Sequence, residues 1–132
     1  MGKRILLCDD EVHIIRAMEF KLKKAGYEVE TASDGEEAWE AIQSRKPDLL
    51  ITDCQMPRLG GLDLIDRLRK DQRTADMPVF MLTAKQYELS PELVFNELRV
   101  LRVVCKPFSP RELLEEVGKV FQEESVGAQG TI

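Results

Sequence analysis

Five short apolar runs alternate along the chain with five segments of helical period, and this alternation constrains the fold more than any other feature. The first run, Arg4 to Cys8, is continuously apolar after its arginine, as in a strand that is covered on both faces. Strands that alternate with helices predict a parallel sheet between two helix layers. We therefore expect an α/β fold in a single doubly wound (βα)5 domain. The other predicted strands are Tyr27 to Thr31, Asp48 to Asp53, Pro78 to Thr83 and Val103 to Cys105.

Capping signals place the helix ends between these strands. A serine with a glutamate three residues later satisfies free backbone donors at a helix N-terminus, and proline fits the first helical turn. Gly26 stands in the position that is favoured after a helix C-cap, so the first helix is predicted to end there. The predicted starts of the second, fourth and fifth helices are Ser33 with Glu36, Ser90 with Pro91, and Ser109 with Glu112.

One domain accounts for nearly the whole chain. The 132 residues are enough to bury a core as a single domain. We expect the folded domain to cover residues 1–124, because the fifth helical pattern ends near Glu124. Residues 125–132 show no periodicity, and we expect them to form a disordered tail.

Charge and composition exclude several classes of function. The chain has 24 acidic and 19 basic residues, and no basic stripe indicates nucleic-acid binding by this domain. The longest apolar runs have strand length, so we expect no membrane span, and the first residues do not form a signal peptide. We therefore expect a cytoplasmic protein. The three cysteines, Cys8, Cys54 and Cys105, have no CxxC spacing, and we expect small apolar fillers instead of disulfide partners or metal ligands.

Polar residues stand at the carboxyl ends of four predicted strands. Asp9 and Asp10 follow the first strand, Asp53 ends the third, Thr83 ends the fourth and Lys106 follows the fifth. Ligands of such folds bind outside the carboxyl ends of the strands, so we expect these side chains to converge. Neighbouring carboxylates repel each other unless a divalent cation neutralises them, and Mg²⁺ prefers oxygen ligands. One carboxylate could then attack a phosphoryl group, while Lys106 and the Thr83 hydroxyl hold phosphoryl oxygens.

The motifs that carry these residues resemble the receiver domain of two-component response regulators, as in chemotaxis regulators. They are CDDE at 8–11, ITDCQMPRLGG at 51–61, MLTA at 81–84 and CKPF at 105–108, in that order. The resemblance extends from Lys3 to about Glu124, and Thr83 lies 30 residues beyond Asp53 (83 − 53), as in the family. It implies a flavodoxin-like fold with five parallel strands in the order 2-1-3-4-5.

The resemblance also implies a role for each acidic residue. Asp53 would be the phosphoacceptor and would take the phosphoryl group from a histidine kinase or a phosphotransfer protein. Asp10 and Asp53 would ligate Mg²⁺ through carboxylate oxygens, Gln55 through its backbone carbonyl, and Asp9 mostly through a metal-bound water. Gln55 and Lys85 lie beside the path of the attacking water, so we expect them to tune the lifetime of the phosphorylated state.

A conformational switch is the second implication of the resemblance. Lys106 would contact the phosphoryl group, the Lys106–Pro107 bond is expected to be cis, and Thr83 would move toward the phosphoryl oxygen. The change would reach a downstream partner through the face of the fourth helix, fifth strand and fifth helix. Val103 replaces an aromatic residue that many receivers have at this position, and Arg99–Val100 replaces the usual glycine-alanine pair. The fourth helix is therefore expected to be longer or differently placed than usual.

Other classes of function are less compatible with the residues. A receiver that has lost phosphorylation and only docks partners would not need the intact acids. An aspartate-based phosphohydrolase needs a second acid two residues after its nucleophile, where Gln55 stands. A flavin-binding protein needs a phosphate-binding loop after the first strand, but the segment DDEVH at 9–13 has no glycine. We therefore expect no separate enzyme activity beyond phosphorylation and dephosphorylation of the domain itself. A homodimer is compatible with the sequence.

Overall fold

The predicted alternation of strands and helices is present in the computed structural model of the protein, which describes residues 2–84, 89–122 and 129–131. The fourth predicted helix is a π-helix, and the fifth is α4. The elements in chain order are β1 (Arg4–Cys8), α1 (Val12–Lys24), β2 (Glu28–Ala32), α2 (Gly35–Ser44), β3 (Leu49–Asp53), α3 (Gly61–Arg69), β4 (Val79–Thr83), the π-helix (Glu92–Glu97), β5 (Arg102–Cys105), α4 (Pro110–Gln122) and β6 (Gly130–Thr131).

All strands of the sheet are parallel, and their order is β2-β1-β3-β4-β5-β6. The chain passes from β1 to β2 on one side and then returns to place β3 on the other side of β1. The strand order therefore reverses between β1 and β3, and ligands of doubly wound folds bind beside such a reversal. Cys8 of β1 lies opposite Thr52 of β3 in the register, so Asp9 and Asp53 follow on neighbouring strands.

The expectation of five strands is wrong, because a sixth strand pairs with the outer edge of β5. Gly130 lies opposite Arg102, and Thr131 lies opposite Val103. A strand of two residues has no hydrophobic period that a sequence could reveal. The outer edge of β5 offers unpaired backbone groups to any extended segment, and β6 uses them. Strand β6 falls in the segment predicted as a tail; residues 125–128 lie outside the described part, and the domain boundary at 124 stays a prediction.

Two apolar layers cover the faces of the sheet, as the continuous apolar strands predict. Alternate residues of a strand point to opposite faces, so Leu6 packs in one layer while Ile5 and Leu7 pack in the other. Helices α2 and α3 and the π-helix cover the first face, and α1 and α4 cover the second. Burying one such side chain fully stabilises the fold by about 1.5–3 kcal/mol.

Helix α2 begins one residue later than the capping box of the sequence analysis, so the assignment of Ser33 with Glu36 is wrong. The N-cap is Asp34, whose side chain accepts a hydrogen bond from the Glu37 N–H at 2.8 Å. The Glu37 carboxylate accepts in return from the Ser33 N–H. The segment contains two overlapping pairs of this spacing, Ser33 with Glu36 and Asp34 with Glu37. Asp34 is favoured as the N-cap because its negative charge is stabilised at a helix N-terminus.

The fourth predicted helix is short and has π geometry. Ser90 acts at its start as predicted, since its hydroxyl oxygen accepts from the Leu93 N–H at 3.3 Å. The Leu98 N–H then donates to the Leu93 carbonyl, five residues back, at 2.8 Å. The chain leaves the helix through Arg99, whose φ of 55° is in the left-handed region. The helix has 6 residues, and the expectation that it is longer or differently placed than usual stays a prediction.

The remaining predicted caps are confirmed. Gly26 follows the last residues of α1 with a φ of 102°, which favours glycine. The Ser109 hydroxyl accepts from the Glu112 N–H at 3.2 Å at the start of α4.

The longest helices, α1 and α4, have 13 residues each, and within the described ranges no helix is long and apolar enough to cross a membrane.

Candidate metal and phosphoryl site

The ends of β1 and β3 bring the three predicted carboxylates together. One oxygen each of Asp9, Asp10 and Asp53 lies within 4.8 Å of the others. Asp9 is 2% exposed and Asp53 is 7% exposed, whereas Asp10 lies at the surface. The convergence that the sequence predicted is therefore present, and two of the three acids are buried.

The ammonium group of Lys106 lies among these acids. Its Nζ is 3.0 Å from Asp9 Oδ2 and 3.3 Å from Asp53 Oδ1, and the side chain is 12% exposed. A third carboxylate, Glu11, lies 2.8 Å from the same nitrogen. Burial alone would lower the pKa of Lys106, but the bonds with Glu11 and Asp9 raise it above its usual value, so the lysine is charged.

Sequence reasoning missed Glu11. Its carboxylate is exposed, yet the hydrogen bond with Lys106 lowers the pKa of Glu11. The available signal was its place in the CDDE motif, directly after the acid pair. A pair 95 residues apart in the chain cannot be inferred from local pattern alone.

The negative charge at the site exceeds what Lys106 can balance. The pKa of Asp53 is raised to about 6, chiefly by burial and also by the charge of Asp9, although Lys106 opposes both effects. A raised pKa means that the ionised form is disfavoured at this place in the fold. A further positive charge beside Asp53 would therefore stabilise its carboxylate.

The residues present fit a divalent cation. Lys106 Nζ lies 3.0 Å from Asp9 Oδ2, but no described residue gives this buried oxygen a well-aligned hydrogen bond. The other oxygen, Asp9 Oδ1, accepts from the Glu11 N–H at 2.9 Å. The donor set consists of carboxylate oxygens, which are the ligands that Mg²⁺ and Ca²⁺ prefer. The cluster could therefore hold such an ion.

The backbone around Asp53 is fixed on both sides. The Cys54 N–H donates to the Leu82 carbonyl at 2.8 Å, and the Gly61 N–H donates to the Cys54 carbonyl at 2.8 Å. A Cβ atom on Gly61 would lie 2.1 Å from the carbonyl oxygen of Asp53. Only glycine therefore fits at the start of α3 without moving the phosphoacceptor candidate, a constraint that sequence reasoning missed.

Thr83 and Lys106 are adjacent across the ends of β4 and β5. Thr83 is buried, and its carbonyl oxygen accepts from the Lys106 N–H at 2.8 Å. The Lys106–Pro107 bond is cis, as the family resemblance implied. Gln55 is exposed in the loop after Asp53, and its role as a carbonyl ligand stays a prediction. Lys85, which was predicted to tune the phosphorylated lifetime, lies outside the described residues.

Neither the cysteines nor the histidine takes part in the cluster. Cys8, Cys54 and Cys105, all described, are free thiols, and burial raises the pKa of Cys8 to about 12, which makes it unreactive. His13 is 83% exposed, and its nearest acid is Glu11 at 3.8 Å. Cys8 and Cys54 are buried, and the role of the three cysteines as small apolar fillers stays a prediction.

A cleft opens beside the acidic cluster. Its volume is about 530 Å³, and its mostly apolar lining includes Ile14 and Ala17 of α1 and Phe108. Glu11 and Lys106, which contact each other at the acidic cluster, also line the cleft. A partner seated in this cleft would contact the same lysine that contacts Asp53.

Comparison with known proteins places the chain beside signalling proteins. A family model described as "Response regulator receiver domain" matches residues 5–118. The alkaline phosphatase synthesis transcriptional regulatory protein PhoP of Bacillus subtilis is 39% identical over 128 residues, which are 97% of this chain and 52% of that protein. The phosphate regulon transcriptional regulatory protein PhoB of Pseudomonas aeruginosa is 38% identical over an alignment 132 positions long, which covers 96% of this chain and 55% of that protein. The chain thus spans about half the length of these curated relatives.

Solved structures agree with the sequence comparison. The chemotaxis response regulator CheY4 of Vibrio cholerae superposes with a TM-score of 0.81 at 33% identity, covering 91% of this chain and 99% of that one. A CheY-like receiver domain protein from Methanospirillum hungatei gives a TM-score of 0.82 at 28% identity, covering 94% and 97% of the two chains. The two superpositions include nearly the whole length of both solved chains, so the similarity extends over the whole receiver fold.

Proposed function

Because this chain belongs to the response regulator receiver domain family, we propose that Asp53 accepts a phosphoryl group from a histidine kinase or phosphotransfer protein in a Mg²⁺-dependent reaction. One observation carries the proposal. Oxygens of Asp9, Asp10 and Asp53 lie within 4.8 Å of one another, and Lys106 Nζ lies 3.3 Å from Asp53 Oδ1. Receiver domains are in general not enzymes that act on a separate substrate, and the chemistry proposed here takes place on the domain itself.

The transfer step uses the Asp53 carboxylate as the nucleophile. One of its oxygens attacks the phosphorus of a phosphohistidine; the new P–O bond forms, the P–N bond breaks, and the imidazole keeps the electron pair. Asp9, Asp10 and Asp53, with the backbone carbonyl of Gln55, would hold Mg²⁺. When bound, the ion supplies positive charge that offsets the repulsion between the carboxylates and the incoming anion.

Lys106 and Thr83 stabilise the transferred group. The Lys106 ammonium already lies beside Asp53 and would donate to a phosphoryl oxygen in place of one carboxylate partner. The hydroxyl of Thr83 would donate to a second oxygen. In the separate hydrolysis step a water attacks the phosphorus, the P–O bond to Asp53 breaks, inorganic phosphate leaves, and the Asp53 carboxylate is regenerated. We expect Gln55 to tune that rate from its exposed position in the neighbouring loop.

The signal would leave the site through β4, β5 and the π-helix. The Lys106 N–H donates a hydrogen bond to the Thr83 carbonyl. A displacement of one of these residues would therefore also move the other and the loop that follows it. Arg69, at the end of α3, donates to the carbonyls of Leu98 and Arg99, at 2.8 and 3.3 Å, and so ties α3 to the end of the π-helix. We propose that phosphorylation shifts the population of this π-helix, β5 and α4 face, which then contacts a downstream partner.

The kinase or phosphotransfer partner would dock on α1 and the neighbouring cleft. Val12 and Phe20 are exposed apolar residues on α1, and the cleft leads from this helix to Lys106. A partner helix that carries phosphohistidine would bury these apolar groups while its imidazole faces Asp53. We expect this encounter to take place in the cytoplasm.

Two alternatives make different demands on the same site. A phosphohydrolase would need an acid at position 55, where the chain has an exposed glutamine, so we expect no turnover of phosphate esters. A docking module without phosphorylation would have no use for buried, converging carboxylates whose burial is unfavourable. The geometry therefore favours phosphorylation.

Intact mass measurement after incubation with Mg²⁺ and acetyl phosphate tests the proposal. We expect one phosphoryl adduct on the wild-type chain, and none on Asp53→Asn or without Mg²⁺. Asp66→Asn is the matched control: Asp66 forms an exposed ion pair with Lys70 on α3, so this variant should form the adduct normally. A normal adduct on Asp53→Asn would show that the phosphoacceptor is assigned to the wrong residue.

A further inference from the structure

The C-terminal segment 129–131 is held on the sheet by specific contacts. The Gly130 N–H donates to the Leu101 carbonyl at 3.0 Å, and the two residues of β6 continue the parallel register on β5. The side chain of Gln129 adds two more bonds. Its Nε2 donates to the carbonyl oxygens of Phe95 and Val100, each at 2.8 Å. A tail in random contact would not place both amide protons on backbone acceptors.

The two acceptors of Gln129 belong to different parts of the chain. Phe95 lies inside the π-helix, whereas Val100 lies after the left-handed turn at Arg99. One amide group can reach both carbonyls only while the π-helix keeps its present distance from the start of β5. The Gln129 contacts therefore depend on the position of the π-helix.

A groove lies beside the same strand. Its volume is about 320 Å³, and it is bordered by Val94 and Phe95 of the π-helix, by Val103 of β5 and by Thr131 of β6. The valine at position 103 leaves space that a larger side chain would fill. A strand edge next to an apolar groove is the arrangement that proteins use to bind an extended peptide by strand addition, and here residues 130–131 occupy that edge.

We propose that the outer edge of β5 and this groove form a docking site for an extended segment, and that residues 129–131 are its detachable occupant. The segment covers the edge in the unphosphorylated chain. Phosphorylation of Asp53 moves the loop after Thr83 and the π-helix, Gln129 loses one of its acceptors, and the segment leaves the edge. The trigger rests on the proposed function; the docking site does not.

Amide hydrogen exchange at Gly130, followed by NMR on the whole chain, tests the docking site. We expect the Gly130 amide to exchange at least tenfold more slowly than in an unfolded peptide, and Gln129→Ala to return it to near the peptide rate. Gln122→Ala, an exposed glutamine at the end of α4, is the matched control and should leave the Gly130 rate unchanged. Peptide-like exchange in the wild-type chain, or no effect of Gln129→Ala, would overturn the docking site.

The same measurement with Mg²⁺ and acetyl phosphate tests the trigger. We expect Gly130 exchange to accelerate at least tenfold in the phosphorylated chain and to stay slow in Asp53→Asn under identical conditions. If the phosphoryl adduct forms and Gly130 stays protected, the coupling is wrong while the proposed function stands. If no adduct forms, the proposed function and the trigger both fail, and the Gln129→Ala comparison still decides the docking site.

Discussion

Among single residues, Lys106 matters most to the site, because it supplies the positive charge that lies among the acids. It contacts Asp9, Glu11 and Asp53, and it approaches the two buried acids within 3.3 Å. Because its ammonium group forms ion pairs with the buried acids and its backbone N–H donates to the Thr83 carbonyl, the same residue could hold the phosphoryl group and transmit its presence to β5. Its two roles can be separated by substitution.

Lys106→Ala should accept phosphate but fail to switch. The carboxylate nucleophile and the proposed metal ligands remain, so the phosphoryl adduct should still form with acetyl phosphate. The chemical-shift change of the π-helix on phosphorylation should be largely lost, because no ammonium group follows the phosphoryl oxygen. Lys119→Ala removes an exposed lysine on α4 and serves as the control. A wild-type shift change in Lys106→Ala would exclude the lysine from the switch.

The residues at the strand ends could be predicted from sequence, and the contacts around them could not. Asp9, Asp53 and Lys106 follow strands whose carboxyl ends must meet in a parallel sheet, so topology alone brings them close. Glu11 and Gly61 depend on side-chain direction and on the distance between two backbones. Such distances arise only after the helices have packed on the sheet.

The start of α3 fixes the phosphoacceptor candidate at the scale of secondary-structure elements. Gly61 lets the first turn of the helix touch the carbonyl of Asp53, so helix and strand position each other. The elements themselves followed from local pattern: each of the five longer strands lies within about one residue of its prediction. The capping box at Ser33 was wrong because Asp34 offers a competing pair. The π-helix was missed because the spacing of apolar residues does not distinguish backbone hydrogen bonds that reach five residues back from those that reach four residues back.

Gly61→Ala should destabilise the fold and displace Asp53. The added Cβ would lie 2.1 Å from a backbone oxygen, so the strand end or the helix must move, at a cost of about 1–3 kcal/mol. Gly118→Ala is the matched control, because a Cβ there meets nothing within 4 Å. It should stabilise α4 by roughly 0.5–1 kcal/mol. Urea unfolding of both variants measures the two effects, and equal stabilities would contradict the close contact at Gly61.

At the scale of the whole molecule, the proposed site lies at the carboxyl end of a sheet whose two faces are covered by apolar layers. Helices α1 and α4 cover one face, and α2, α3 and the π-helix cover the other, which leaves the carboxyl ends open. Fold class and the order of the first five strands could be predicted, because alternation and family motifs specify them. Strand β6 could not, because two residues carry no pattern and their pairing depends on the free edge of β5. This outer edge of β5 is where a partner or the C-terminal segment would bind.

Titration of Mg²⁺ by calorimetry tests the central claim most directly, since the buried carboxylates are proposed to converge around this ion. We predict one saturable site in the wild-type chain, weakened about tenfold or more in Asp10→Asn and in Asp53→Asn, as loss of a metal-site group typically does. Asp66→Asn should bind Mg²⁺ like the wild type. Absence of saturable binding to the wild-type chain, or equal affinity in all four proteins, would contradict the claim.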